Sequence, residues 1–553
     1  MPTTPRVIFT FAFVTAALLA TPSPSRATWQ LNGNPICTAP GAQSNARCAP
    51  DGTGGAVILW TDERRGAGLI DLYGTRVRAD GTIAPGWPTD GVELTSSGDA
   101  SWFSIVGDGA GGLLAFWLDA ATAHAFVQHV GADGTLAPGF GTGGIVLPIA
   151  VGGPSGHVLQ AVTDGAGGAY VMWNRFNGAA DAIYLTRVSG TGAIAPGWTA
   201  SGVQQAYGDP ANPLLGFAAV TIGADPGGGA LTGALWDVNG GGLACTFTRT
   251  GPDGGAPALY AGVTSVASGP SLVADGAGGM FASWTSTSAP LRCMQHFLAD
   301  GQWAWPSPTA APWSDDLLLD GSGGIYLFGH SPSPDQLVLS RRDASASIPP
   351  PWTAAGVVVS SAGTFTTFGA VCSGDLVYTA WSNGAAGAND VRACAVTPAG
   401  AIAPGWVVNG NVVCNATGTQ ILTSMIALPP TDALVAWADT RSGGPDVYAT
   451  RLYVNGPPTL AAPPSPLPGT ISLALAPDPA GALARVSFAL PEPGPAAVEV
   501  LDLAGRVLVR VEVEARGGPQ SLALDTARLP GGLYWARLRQ AGRTTASRFA
   551  VVH

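Results

Sequence analysis

The chain of 553 residues contains no lysine, and all 25 of its basic residues are arginine. Chemistry that needs a lysine amine, Schiff-base formation included, is therefore excluded. The formal charge is −11 and the arginines form no basic run, so the electrostatic footprint of a nucleic-acid binder is missing. Glutamate is nearly as scarce: between residues 28 and 456 only Glu63 and Glu93 occur, which leaves few carboxylate pairs for glycoside hydrolysis other than aspartates. His124, His129, His157, His296, His330 and His553 make no HExxH grouping, and neither a G-x-S-x-G elbow nor an S-x-D-x-G-x-T-W box is present. No cysteine sits in a CxxC or CxxH spacing, which gives a zinc site little support. Beyond residue 27, no stretch reads as a transmembrane helix.

What the chain has is turn-forming residues and indoles. Its 78 glycines and 46 prolines accompany 17 tryptophans and 46% hydrophobic residues, a combination that fits many short strands joined by tight turns around packed cores. Arg6, the apolar run Val7 to Ala20 and the small-residue stretch Thr21 to Ala27 read as a signal peptide over residues 1–27, cleaved after Ala27, so the mature chain is expected to be exported. Export permits disulfides among Cys37, Cys48, Cys245, Cys293, Cys372, Cys394 and Cys414, and the odd count leaves at least one unpaired. One or two disulfides and a set of small buried hydrophobes are equal readings.

The stretch Asp275 to Trp284, a glycine turn followed by a short apolar run ending in tryptophan, recurs as Asp51 to Trp60, Asp108 to Trp117 and Asp164 to Trp173. Weaker copies are Asp225 to Trp236 and Asp320 to Phe328, and further turns lie near Gly374 and Thr431. The six turns from Asp51 to Asp320 are spaced 45 to 61 residues apart. A second signature, Gly192 to Trp198, also occurs as Gly81 to Trp87 and Gly400 to Trp406. Four antiparallel strands at this period are the mark of a propeller blade, and the count gives an eight-bladed β-propeller over residues 28–456. The eighth copy stops at Gly456 before any fourth strand. Trp29 to Cys37 matches Trp406 to Cys414 as W-x-x-N-G-N-x-x-C, so the mature N-terminus is expected to supply the missing strand and close the ring.

Residues 457–469 form a proline-rich linker. From residue 470 to 553 seven strand candidates follow, which suggests an immunoglobulin-like sandwich. The quoted landmarks are Ala476 to Pro479, Ala484 to Pro491, Val498 to Val507 with Asp502, Gly505 and Arg506, Leu529 to Leu538 with Gly532 and Tyr534, and Arg548 and Phe549 near the end. With these the unit resembles the sorting domain of the type IX (Por) secretion system and the Ig-like domain of flagellar hook-capping proteins. The resemblance covers only the last 84 residues. It implies partnership with the type IX secretion machinery and delivery to the surface of a Gram-negative cell.

Each glycine turn offers a single carboxylate, where a calcium loop needs several oxygens in one stretch; calcium is the one cofactor weighed, and hairpin chemistry is the expectation. Asp62, Asp119 and Asp439, two residues after the tryptophan, form a column beside Arg76, Arg187, Arg249 and Arg451, with His129 and His296 replacing arginine in two copies. Clustered arginines clamp a carboxylate in sialidase-type propellers, but Asp62 with Arg76 and Asp439 with Arg451 are expected to pair across strands. Trp60, Trp117, Trp173, Trp236, Trp284, Trp381 and Trp437 recur at one position and are expected to anchor the core between blades. The segments Trp303 to Pro306 and His330 to Asp335 break the repeat, and a ligand site is expected in such loops if one exists. The leading reading is a non-catalytic surface ring that binds extracellular glycan or protein. A secreted hydrolase or lyase acting on polysaccharide is the alternative.

Overall fold

The computed structural model describes residues 29–458 and 472–551, except 97, 101, 120–121, 152–157, 177–180, 206–215, 238–242, 288–291, 312–314, 362, 386–387, 478–482, 491–493, 503–504, 516–517, 526–528 and 541–542. The expected signal peptide and most of the linker lie outside the described residues. Among the described residues all regular structure is strand, and no helix is long and apolar enough to cross a membrane.

Each repeat folds as a meander whose strands pair in chain order. In repeat one these are Gln43–Pro50, Ala56–Asp62, Asp71–Val77 and Val92–Thr95. The turn between the first two closes on its aspartate: Asp51 Oδ1 accepts from the backbone N–H of Thr53 at 2.7 Å and of Gly55 at 2.9 Å. The second strand is buried along its whole length, as is Leu113–Asp119 in repeat two. A strand covered on both faces reads as a continuous apolar run rather than an alternating one, which is why the sequence shows Ala-Val-Ile-Leu-Trp and Leu-Leu-Ala-Phe-Trp.

First strands of successive repeats lie side by side. The first strand of repeat one contacts those of repeats two and eight, and the succession runs without a break through the intervening repeats. The meanders thus radiate from a common axis in a propeller arrangement, with first strands innermost. Asn34–Cys37 pairs antiparallel with Asp446–Leu452, Asn34 opposite Ala449 and Pro35 opposite Tyr448, and supplies the fourth strand of the sheet that holds Gln420–Leu428 and Asp432–Asp439. Trp29, Ile36 and Cys37 then join Ile58 and Trp60 of repeat one and Leu434 and Val447 of repeat eight in one core cluster. The junction that joins the two ends of the ring is therefore packed like the others.

Repeats four and five depart from the expected separate blades. Ala258–Ala274 runs through as the fourth strand of one and the first of the next, giving a single sheet of seven strands. No proline-glycine-tryptophan signature precedes this stretch, unlike the fourth strands of repeats one, three and seven. It turns instead by register shifts between Val266 and Ser271 and by Ser265 at φ 62°.

The second-strand tryptophans fill the space between neighbouring sheets. Trp60, Trp117, Trp173, Trp236, Trp381 and Trp437 are all but inaccessible to solvent, and Trp284 is buried. At Trp60, Trp117, Trp173, Trp381 and Trp437 a glycine at the fourth-strand entry lies against the indole: a Cβ on Gly91 would stand 2.4 Å from Trp60, and one on Gly33 would stand 2.2 Å from Trp437. Both glycines also have positive φ, 84° and 78°. The shared N-G of the N-terminal and repeat-seven motifs thus serves a turn and a close contact together.

The C-terminal unit comprises one sheet of Ser472–Pro477, Leu483–Leu490 and Gly518–Asp525, and another of Gly494–Leu501, Val507–Ala515, Gly532–Gln540 and Arg543–Val551. Val486, Phe488 and Leu524 of the first meet Val498, Val500, Tyr534 and Leu538 of the second in one core. Glu499, buried on the outer face of its sheet, holds Arg537 at 2.7 Å and Arg510 at 3.1 Å, which satisfy its charge.

Gly91→Ala is expected to destabilise the ring by about 3 kcal/mol through overpacking and left-handed backbone strain. Gly141→Ala, where a Cβ meets open space, is the control and should leave the urea midpoint unchanged.

Candidate functional site

The repeated charges were the first candidates, and the structure pairs them differently from the sequence expectation. Arg76 donates to Asp51 at 2.9 Å, not to Asp62, and Arg451 to Asp432 at 2.7 Å, not to Asp439. Register explains the correction. Arg76 stands opposite Val57, at the turn end of the second strand, whereas Asp62 stands opposite Asp71 at the other end. The same turn-end pair recurs as Arg187–Asp164, Arg249–Asp225 and Arg341–Asp320, with His129–Asp108 at 3.1 Å and His296–Asp275 at 3.0 Å. Repeat seven has Ala395 at the arginine position. Burial alone would raise the Asp51 carboxyl, but hydrogen bonds from Thr53, Arg76 and Gly55 outweigh it and hold it below the usual range. Asp108, Asp275 and Asp320 are lowered in the same way by their own partners. Both oxygens of such an aspartate are engaged within its own repeat, in a turn brace rather than a calcium loop.

Asp62 and Asp439 organise a second joint. Asp62 accepts from Trp60 Nε1 at 3.0 Å and from Arg64 at 2.7 Å, and Asp439 from Trp437 Nε1 at 2.9 Å and Arg441 at 2.5 Å. The Arg64 and Arg441 guanidinium groups lie 3.7 Å and 4.0 Å from the ring centroids of Tyr73 and Tyr448. Each also reaches a thiol of the preceding fourth strand, Cys37 at 3.3 Å and Cys414 at 3.0 Å. Burial pushes both thiols up to about 12, which makes them poor nucleophiles. All seven cysteines are free, so the reading of them as small buried groups prevails over disulfides.

The irregular segments named in the sequence are taken up by packing and hairpin bonds. Trp305 is buried and donates to Ala344 O at 2.8 Å. It occupies the position of Trp87, Trp198, Trp352 and Trp406, whose indoles donate to Ala132, Pro252, Pro398 and Val454 of the next repeat, and of Trp29, which donates to Ala79. The segment is the second signature in altered spelling, a stitch between neighbours. His330 bonds Asp335 across its hairpin at 2.5 Å and packs against Phe365 and Phe368.

A cavity system does lie on the axis, between first strands. One chamber of about 610 Å³ is lined by Arg47, Phe103, Ser104, Thr367, Thr423 and Ser424 among others. A second of about 320 Å³ shares Thr367 and Leu422 to Ser424 with it and reaches Asp316. Arg47 and Asp316 are the charged groups of these two linings. Burial, with a smaller push from Asp315, raises the Asp316 carboxyl to about 6 against the hydrogen bond it accepts from Ala370 N–H at 3.0 Å. Neither residue was among the sequence candidates. Arg47 falls in line with Ser104, Gln160 and Ser424, each opposite the residue before the second-strand anchor, but a bulge between Ser44 and Arg47 conceals that alignment in the sequence.

No known family matches the chain, and no curated protein matches it. Solved structures of similar shape include the WD40 domain of SCAP from fission yeast, at 8% identity and TM-score 0.41, covering 77% of this chain and 95% of that one. The polysaccharide lyase Uly1 is similar at 10% identity and TM-score 0.41, covering 70% and 94%. The β-propeller domain of the trilobed protease from Pyrococcus furiosus is similar at 8% identity and TM-score 0.38, covering 64% and 94%. Likeness at this level transfers neither ligand nor reaction to this chain.

Two pH effects follow. Aspartates with lowered folded values contribute stability above the unfolded carboxylate range, lost as pH falls through the folded values; the thermal midpoint should therefore drop below about pH 4. Asp316 acts oppositely: its raised value means that stability is gained as pH falls through about 6. Asp316→Asn should stabilise the ring at pH 8 by at most about 3 kcal/mol and flatten the profile between pH 4 and 7, as read by thermal unfolding followed by circular dichroism.

Proposed function

We propose that residues 28–456 form an eight-bladed β-propeller, closed by the N-terminal strand, that serves as a non-catalytic binding ring for an extracellular glycan or protein. The observation that supports this best is the fate of the charges. Turn aspartates of the repeats are tied to arginines and histidines in turn braces, and the axial chambers hold one guanidinium and one carboxylate among hydroxyl, backbone and apolar groups such as Phe103 and Leu422. Hydrolase or lyase chemistry calls for converging acids and bases within reach of one bond, and such a cluster is not found among the described residues of the chambers.

The C-terminal unit, 470–553, is proposed as an Ig-like type IX sorting domain that takes the exported chain to the surface of a Gram-negative cell. Its landmark residues are distributed in a way that suits this reading. Asp502, Gly505 and Arg506 make a turn in which Arg506 donates to Asp502 at 2.7 Å. The Tyr534 hydroxyl donates to Pro530 O at 2.7 Å, and its ring packs against Phe549. Gly532 opens the strand that carries Tyr534, and Arg548 stands opposite Trp535. Leu508, Leu533 and Trp535 are exposed, a surface suited to a protein partner.

Deletion of 470–553 in a host with the type IX machinery should leave the protein in the periplasm, as read by fractionation and surface proteolysis; unaltered surface delivery would refute the sorting role. A glycan array probed with the full mature chain should give saturable hits without degradation of the glycan. Chain cleavage of an arrayed polysaccharide would favour the enzymatic alternative.

A further inference from the structure

We propose that the axial chamber binds the carboxylate of an acidic sugar and that the Arg47 guanidinium is its anchor. The inference rests on the reading of the ring as a binding module and names that module's ligand class.

Arg47 differs from the arginines of the turn braces. Among the described residues it has neither a carboxylate nor a hydrogen-bond acceptor; its one recorded contact is the Phe103 ring, whose centroid lies 5.1 Å from Cζ. Arg47 is exposed to solvent, and desolvation by its neighbours draws the guanidinium below its usual range. An unpaired guanidinium keeps its planar fork of donors free for an anion.

The backbone is shaped to present this group. Ser44 pairs with Thr61 and Arg47 with Leu59, so two residues of the first strand oppose Trp60 alone, and Asn45 takes φ 53° to accommodate the extra one. A bulge of this kind re-aims the side chain that follows it. Here the bulge lies in the strand nearest the axis.

The surroundings match a polyhydroxylated body attached to the carboxylate. The Ser424 hydroxyl oxygen accepts from Cys48 N–H at 3.0 Å and lies in the chamber wall. Thr367 Oγ1, in the wall shared by both chambers, is buried without a hydrogen-bond partner, which is costly unless a ligand group or water completes it. Asp316 in the adjoining chamber offers an acceptor for a sugar hydroxyl. About 610 Å³ is ample for one sugar unit and much larger than a simple inorganic anion needs. The planar guanidinium fork suits a carboxylate, and with a charge of −11 the protein as a whole does not draw anions, so the fork has to do so locally.

The test is calorimetric titration of the full mature chain with D-glucuronate, D-glucose and sodium sulfate. Glucuronate should bind at least tenfold more tightly than glucose or sulfate. Arg47→Gln should weaken glucuronate at least tenfold with an unchanged melting temperature, Arg47→Lys should retain part of the affinity, and Thr367→Val should weaken it severalfold. If Arg47→Gln does not fold, wild-type protein labelled with ¹⁵N-arginine decides: one arginine Nε–H resonance should move on addition of glucuronate, and unmoved resonances overturn the proposal. It is equally overturned if glucuronate fails to bind, if glucose binds as well, or if Arg47→Gln leaves the affinity intact. Glycan-array hits that persist in Arg47→Gln and resist competition by glucuronate would remove the axial site while leaving the binding-module reading in place. An array without hits would count against that reading itself.

Discussion

An indole pressed between two sheets, with a glycine against its face, is the contact on which this ring depends. At Trp60, Trp117, Trp173, Trp381 and Trp437 the residue entering the fourth strand must lack a side chain, because a Cβ there would overlap the six-membered ring. Burying an indole removes roughly 200 Å² from water, worth about 5 kcal/mol as an upper bound, so one faulty glycine endangers a large local contribution. The strain falls on a dense interior that has little room to adjust.

Around that contact the chain uses polar groups as fasteners. Turn aspartates hold the arginine of the third strand, while the aspartate after the anchor tryptophan holds indole, guanidinium and thiol at the edge of the neighbouring sheet. The second tryptophan column reaches into the following repeat with an N–H to a backbone carbonyl. Because Trp29 bonds Ala79 and Cys37 meets Arg64, the N-terminal strand carries both kinds of fastener across the closure. Closing the ring with a segment remote in sequence removes the exposed sheet edges of an open array, and the loop-closure cost of doing so rises only slowly with chain length.

With the repeated charges satisfied, the unpaired charge lies where the repeats differ. Arg47 departs from the serine and glutamine found at the corresponding places of repeats two, three and eight. Regularity supplies the scaffold, and Arg47 brings to the axis a guanidinium that no carboxylate meets among the described residues.

Strand positions, the repeat period, the burial role of the tryptophans and the strand lent by Trp29 to Cys37 could all be read from the sequence, because each rests on local periodicity or on a motif repeated in the same chain. The seven candidate strands of the C-terminal unit were legible for the same reason, since Val507 to Glu514 alternates visibly. Partners across strands were not legible. Asp62 and Asp51 lie at opposite ends of one strand, and only the register places Arg76 beside the latter. The fusion of repeats four and five, the common role of Trp305 and Trp87, and the approach of Arg47 to the axis depended equally on tertiary structure. A bulge shifts the alignment by one residue without leaving a mark in composition, and an axial cavity is formed by strands that are hundreds of residues apart in the chain.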